Sequence, residues 1–309
     1  MTAPHHRWFS PTRVFRFCGF NVKVVPESVT DFNGGASVHY STDDYFAPTR
    51  HMSRLANAPL QEVIFEVGWA LDLDPSSGIE SDTRFGLALG ALKTLVKDKF
   101  PHHVARVPFY ELAPHAFNRK AVMQFRKEPN GRPLLQLGPG VFTVNDTDKD
   151  YDWDDSFKPT LIYGLDKLEE AYDGTLLYDQ VVLRYIDSVR VRDYGFTDWG
   201  SFIAEHLHFS YQNGFAKDLV PTDVSFQQLF ECKNGDQLQI QVGSGSDSEG
   251  EPRLIWQTIL QRKQAFDKAG LLAWGEEAHA YSSVIFKQFC KPDFYASFHK
   301  IRDTDIGPG

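Results

Sequence analysis

Two stretches of this chain run through the same order of hydrophobic patterns, and that repetition limits the folds open to it. In the first, Gln61 to Trp69 alternates, with Val63, Phe65, Val67 and Trp69 on one side, as in a strand. A helix follows, capped by Ser81, Asp82 or Thr83 and closed at Phe100-Pro101, with Phe85, Leu89, Leu92 and Val96 on one stripe. Strand-like runs come at 104–112, 121–127, 133–138 and 141–145. A second helix opens at Ser156, turns Leu161, Leu165, Leu168 and Tyr172 to one face, and stops at Asp173-Gly174.

After residue 180 the order recurs. "VVLRYIDSVRV" reads as a strand, and "TDWGSFIAEHLHF" as a capped helix with Trp199, Phe202, Ile203, His206 and Leu207 on its stripe. Strands are expected at 224–232, 237–242 and 253–262. "GEEAHAYSSVIFKQF" is the closing helix, burying Ala278, Tyr281, Ile285 and Phe289. Counterparts are offset by about 115–119 residues, the mark of an internal duplication with one strand fewer in the second half.

This order predicts an α+β fold. Two tandem strand–helix–antiparallel strands–helix repeats would form one curved antiparallel sheet with helices on one face. By analogy of topology this is the saddle of TATA-binding-protein-like folds, and such an analogy does not carry function. The expected divisions are a poorly ordered N-terminal arm (1–55), a first repeat (56–175), a second repeat (176–300) and a C-terminal tail (301–309). The arm is polar and aperiodic from Pro26 to His51, so Met52 is an alternative start of translation. "TRVFRFCGFNVKVV" within it would otherwise form a strand or hairpin.

A net charge of −9 argues against general nucleic-acid binding, which needs clustered Lys and Arg. Cys18, Cys232 and Cys290 are scattered and odd in number, with neither a disulfide framework nor metal-ligand spacing. No apolar run approaches the roughly 20 residues of a membrane span, and charges interrupt the N-terminal apolar residues where a signal core would lie. A cytoplasmic protein with no membrane partner is the expectation.

Gly138-Pro139-Gly140, in "LLQLGPGVFTVN", invites comparison with a phosphate-cradling loop. A Walker loop needs Gly-Lys-Ser/Thr opening a helix. Here no Lys is near and a strand pattern follows, so the reading is a hairpin turn. "GSGSDSEGEP" from Gly243 also lacks a Lys and a helix, and reads as a mobile acidic link between strands.

Four stretches together carry a resemblance: "NAPLQEVIFEV" (57–67), "LQLGPGVFTVN", Tyr151-x-Trp153-x-x-x-Phe157 and "LRYID" (183–187). Over about residues 56–290 the chain resembles a sporadically distributed bacterial family of uncharacterised proteins with Asn-x-Pro-Leu-x-Glu-Val, Leu-Gly-Pro-Gly…Thr-Val-Asn and Leu-Arg-Tyr-Ile-Asn motifs. Asp187 stands where that family usually has Asn. The resemblance implies a bacterial origin and an accessory role such as phage defence.

Among candidate sites, Asp146, Asp148 and Asp150 mimic the first ligand positions of a calcium loop. Tyr151 stands where that loop needs Gly, and Phe157 where it needs Glu, so a charged approach to a helix N-terminus explains the acids better. His206 reads as a hydrogen-bonded core histidine, and His279 as facing Phe286 across two turns. Arg184 lies inside an apolar strand, where a charge needs a partner; Glu62, Glu66 and Asp187 are the candidates. Glu62, Glu66, Arg184, Tyr185, Asp187 and His279 are therefore the expected ligand- or partner-binding residues. The resulting expectation is a cofactor-free binding protein that holds an unknown protein or small ligand on its sheet face. The alternative is an enzyme acting on a phosphate-bearing or nucleic-acid substrate.

Overall fold

The computed structural model describes residues 13–17, 20–24, 55–73, 75–108, 110–147, 151–174, 176–210, 215, 219 and 221–299. Before residue 55 these are two strands, β1 (Arg13–Phe17) and β2 (Phe20–Val24), paired antiparallel as a two-stranded sheet, with β2 lying against the strand Gln237–Ser246 of the large sheet. The rest of the expected arm, the tail from residue 300, Asp148 and Asp150 lie outside the described residues.

Period-two alternation puts Val63, Phe65, Val67 and Trp69 of β3 (Leu60–Trp69) into the core as expected. The short pair β4 (Asp72–Leu73) and β5 (Glu80–Ser81) leads to α1 (Phe85–Val96), which buries Phe85, Ala88, Leu92 and Val96. β6 (His102–Ala105) is shorter than the run expected over 104–112. The chain leaves it for two 3₁₀ turns, Tyr110–Leu112 and Pro114–Phe117. β7 (Met123–Arg126), β8 (Leu134–Gly138) and β9 (Val141–Asp146) follow, then α2 (Lys158–Ala171). The aspartates before α2 act as a cap. Asp152 accepts from the Asp154 and Asp155 amides at 2.9 Å, at the start of a π turn.

In the second half come β10 (Tyr178–Arg190), α3 (Trp199–His206), β11 (Ser225–Glu231), β12 (Gln237–Ser246), β13 (Pro252–Arg262), α4 (Lys268–Phe289) and α5 (Pro292–Ser297). Two expectations fail here. α4 starts well before Gly275, with Asp267 accepting from the Gly270 amide at 2.7 Å. Its buried stripe is Leu271, Trp274, Gly275, Ala278 and Ser282, while Tyr281, Ile285 and Phe289 are only partly buried. The stripe turns because Gly275 lets the helix approach Phe65 and Trp153. The acidic link is also ordered. β12 runs into it, and Asp247 closes the turn by accepting from the amides of Glu249 and Glu251 at 3.0 Å and from Arg190 Nε at 2.8 Å.

Nine strands form one antiparallel sheet in the order β11-β12-β13-β10-β3-β9-β8-β7-β6. The first strand of each half, β3 and β10, lies at the centre, and β9 and β13 flank them. The five helices pack on one face through two apolar clusters, one under α1, α2 and α4 and one under α3, α5 and the end of α4. The other face carries a small isoleucine cluster, Ile64, Ile186 and Ile255. No described helix is long and apolar enough to cross a membrane.

Candidate functional site

Gly138-Pro139-Gly140 is a hairpin turn between β8 and β9. Gly140 sits at φ +70, and a Cβ on Gly138 would meet the Lys120 carbonyl. The Gly140 N–H donates to Asp82 Oδ2 at 3.0 Å, and the same oxygen accepts from Tyr172 Oη at 2.7 Å and Trp69 Nε1 at 3.2 Å. A carboxylate therefore occupies the amide that a phosphate would need. The Asp82–Trp69–Tyr172 set escaped sequence reasoning. Its only signal was an acid and two aromatics beside the glycine motif's partner strands.

The six candidate residues gather at the seam between β3 and β10, but on opposite faces of the sheet. In the register, Val182 lies opposite Glu66, Arg184 opposite Ile64 and Ile186 opposite Glu62. Arg184 thus stands between Glu66 and Glu62 on the helix-free face. It is half-buried, and burial pulls its pKa down against the attraction of Glu66 and Glu62. The expected ion pair is not made. Among the described residues no carboxylate oxygen comes within 4.0 Å of Arg184, and no hydrogen bond reaches its guanidinium. Antiparallel register places the two acids diagonally, where they act by charge alone. Glu66 is also partly exposed yet desolvated. Burial raises its pKa, against Arg184 and Arg119.

The charges alternate along the seam. Arg119 lies over Gly68, where a Cβ would strike its guanidinium, and makes two bonds to Asp179 at 2.9 and 2.8 Å. Glu66, Arg184 and Glu62 follow, and Arg132 Nη2 stands 4.0 Å from Glu62 Oε1. From Glu62 an amide chain crosses the face. Arg126 donates to Gln124 Oε1 (2.6 Å), Gln124 Nε2 to Gln136 Oε1 (2.9 Å), Gln136 Nε2 to Asn145 Oδ1 (2.8 Å) and Asn145 Nδ2 to Glu62 Oε1 (2.9 Å). Arg106 adds a bond to Gln136 Oε1 at 3.0 Å, and the Thr143 hydroxyl donates to Asn145 Oδ1 at 2.6 Å. The isolated polar letter in "LLQLG" was the available sign of this network.

Tyr185 and Asp187 lie under α4, on the other face, and His279 belongs to that helix. His279 does not face Phe286. Its ring stacks on Trp153 with centroids 4.4 Å apart and planes 1° from parallel. Its Nδ1 is 2.7 Å from Tyr185 Oη, which is 3.0 Å from Tyr151 Oη. Burial pulls the His279 pKa down to about 4 against Glu276, Asp154 and Asp152, and pushes those of both tyrosines up. A neutral imidazole thus shares a hydrogen bond with the Tyr185 hydroxyl, its direction set by the ring tautomer. Asp187 is buried opposite Trp256, and no described residue donates a hydrogen bond to it; burial alone pushes its pKa up to about 8.

His206 is not hydrogen-bonded through Nε2, which is buried without a partner. The ring is held by Tyr194, Phe196, Phe202 and Phe294 at 4.7 to 5.4 Å. Among the described residues no group of three His, Cys, Asp or Glu side chains is placed to hold a metal ion, and Asp146 is buried at the end of β9. No family model matches the chain, and neither a curated protein nor a solved structure matches it.

Proposed function

We propose that this chain is a non-enzymatic cytoplasmic binding protein that holds an anionic group of a ligand or partner at the β3–β10 seam, with Arg184 reading that group. The observation that carries this reading is Arg184 itself, a desolvated guanidinium with no hydrogen bond to any described residue. It offers five donors in a fixed fork suited to carboxylate or phosphate. In a water-poor setting each bond to an incoming anion is stronger than in water. Glu62 and Glu66 on either side favour a ligand that carries a donor, such as a hydroxyl or amine, next to its anionic group.

The strand order supports a tandem origin and the saddle arrangement. From the centre outward the halves read β3-β9-β8-β7-β6 and β10-β13-β12-β11. Each thus places its first strand beside its last, and the seam lies where the two units join. Resemblance to the sporadic bacterial family supports an accessory role such as phage defence. The enzyme reading is weaker. Its natural base, His279, stacks on Trp153 across the sheet from Arg184, so the two cannot share a substrate.

The test is a thermal-shift panel on the full chain with inorganic phosphate, citrate, mononucleotides and acidic amino acids. At least one anion should raise the melting temperature of the wild type. Arg184→Met should fold with an equal or higher melting temperature and lose that response. A variant that keeps the response, or a wild type indifferent to every anion, sinks the reading.

A further inference from the structure

The two edges of the large sheet differ. At one end β6 has four residues, two of them histidine. At the other, β11 has seven, "SFQQLFE", with no proline, no lysine and no register shift against β12. Sheet edges in native proteins are normally blunted by such devices, because unpaired N–H and C=O groups template another strand. Leu229 and Phe230 on this edge are 57% and 44% exposed.

The backbone polarity of the edge follows from its two ends. Cys232 N–H donates to the Asp236 carbonyl at 2.7 Å, and Ser244 N–H to the Val224 carbonyl at 2.9 Å. In an antiparallel ladder the bonded residues alternate. Val224, Phe226, Gln228, Phe230 and Cys232 therefore turn their main-chain groups toward β12. Ser225, Gln227, Leu229 and Glu231 turn theirs away from the sheet.

We propose that this edge is an interface, and that its occupant is the β11 strand of a second copy of the chain, related by a two-fold axis through Gln228. In that register Ser225 pairs with Glu231, and Gln227 with Leu229. These are the outward-turned residues, so every main-chain group turned away from the sheet finds its complement. On the helix side Phe226 meets Phe230 across the strands, extending the contact that Phe226 already makes with Phe209, at 5.1 Å between ring centroids. Glu231, the one charged residue of the strand, faces Ser225 and not its own copy. Each patch is its own complement, as an isologous contact requires. The nine-stranded sheets of two copies become one continuous sheet.

The register makes a geometric prediction. Gln228 faces its counterpart in a non-hydrogen-bonded pair, where Cα atoms lie about 4.5 Å apart, within disulfide reach. Full-length Gln228→Cys should form a cross-linked dimer under mild oxidation, well beyond the level seen for the wild-type cysteines; Ser225→Cys should not. By multi-angle light scattering the wild type should be a dimer. Leu229→Pro removes an outward N–H and leaves the β12 ladder whole, so it should be a folded monomer with unchanged far-UV circular dichroism. Leu229→Lys should give the same result. A monomeric wild type at about 100 μM, or a dimer that both variants preserve, overturns the proposal.

Discussion

The Tyr185 hydroxyl stands 2.7 Å from Nδ1 of His279, and this bond ties the central strand β10 to helix α4 beneath the Trp153 ring. Burial holds His279 neutral in the folded chain down to about pH 4, whereas an unfolded chain takes up that proton near 6.5. Between those values the unfolded state binds more protons, so stability falls as the pH drops through the window. The full effect is on the order of 3 kcal/mol. His279→Phe keeps a ring against Trp153 and should flatten the acid limb of a melting-temperature profile between pH 6.5 and 4. An unchanged limb would move the acid sensitivity elsewhere.

Asp187 works in the opposite direction. The folded chain keeps its proton up to about pH 8, and the unfolded chain releases it near 3.8. The stability it contributes is present at low pH and is lost as the pH rises through about 8. Above about pH 7.5 His279 is neutral in both states, so there this loss stands alone. Asp187→Asn should raise the melting temperature at pH 8, by a margin that shrinks toward pH 5. Equal margins at both values would mean that the carboxyl is ionised in the fold.

Asp82 fastens the glycine turn to β3 and α2 through Gly140, Trp69 and Tyr172. Removing the carboxylate strands four donors at once, because the Arg84 amide also gives to it, at Oδ1. Asp82→Ala should lower stability by about 3 kcal/mol, and Tyr172→Phe by about 1 kcal/mol, in urea denaturation. A loss under 1 kcal/mol for Asp82→Ala would show that water replaces the carboxylate freely.

Gly138 is constrained by contact and not by dihedral angle. A Cβ there would stand 1.9 Å from the Lys120 carbonyl oxygen, which is main chain and cannot rotate away. Gly78 has φ +69 and open space around it. Gly138→Ala should cost more than 3 kcal/mol, and Gly78→Ala about 1 kcal/mol. Similar losses at both positions would rule out the backbone clash.

Local pattern made the strands legible. Period two assigned the core face of β3, with Val63, Phe65, Val67 and Trp69. It could not supply the inter-strand register, which puts Glu62 and Glu66 diagonal to Arg184 and leaves the ion pair unmade. The buried stripe of α4 departs from the expected one because it runs through Gly275 and Ser282, small residues invisible to a hydrophobic count, and Gly275 is where the helix closes on Phe65 and Trp153. His279 was assigned to Phe286 on its own helix, when its partners come from β10 and the turn before α2. Nothing local marks Asp82 as the acceptor of the glycine turn, since the contact joins residues 58 apart.

The amide chain from Arg126 through Gln124, Gln136 and Asn145 to Glu62 has a sense of travel. Every link passes a donor hydrogen the same way, from a cation that can only give to a carboxylate that can only take. An amide reversed in the middle would set oxygen against oxygen on one side and nitrogen against nitrogen on the other, so the amides can turn over only together. The two ends act as the signposts of a one-way street across four strands. Exchanging Glu62 for Gln would leave every shape in place and remove the sign at one end. The direction would then rest on the cations alone, Arg126 on Gln124 and Arg106 on Gln136, and the new amide would have to turn its oxygen to Asn145 to keep it.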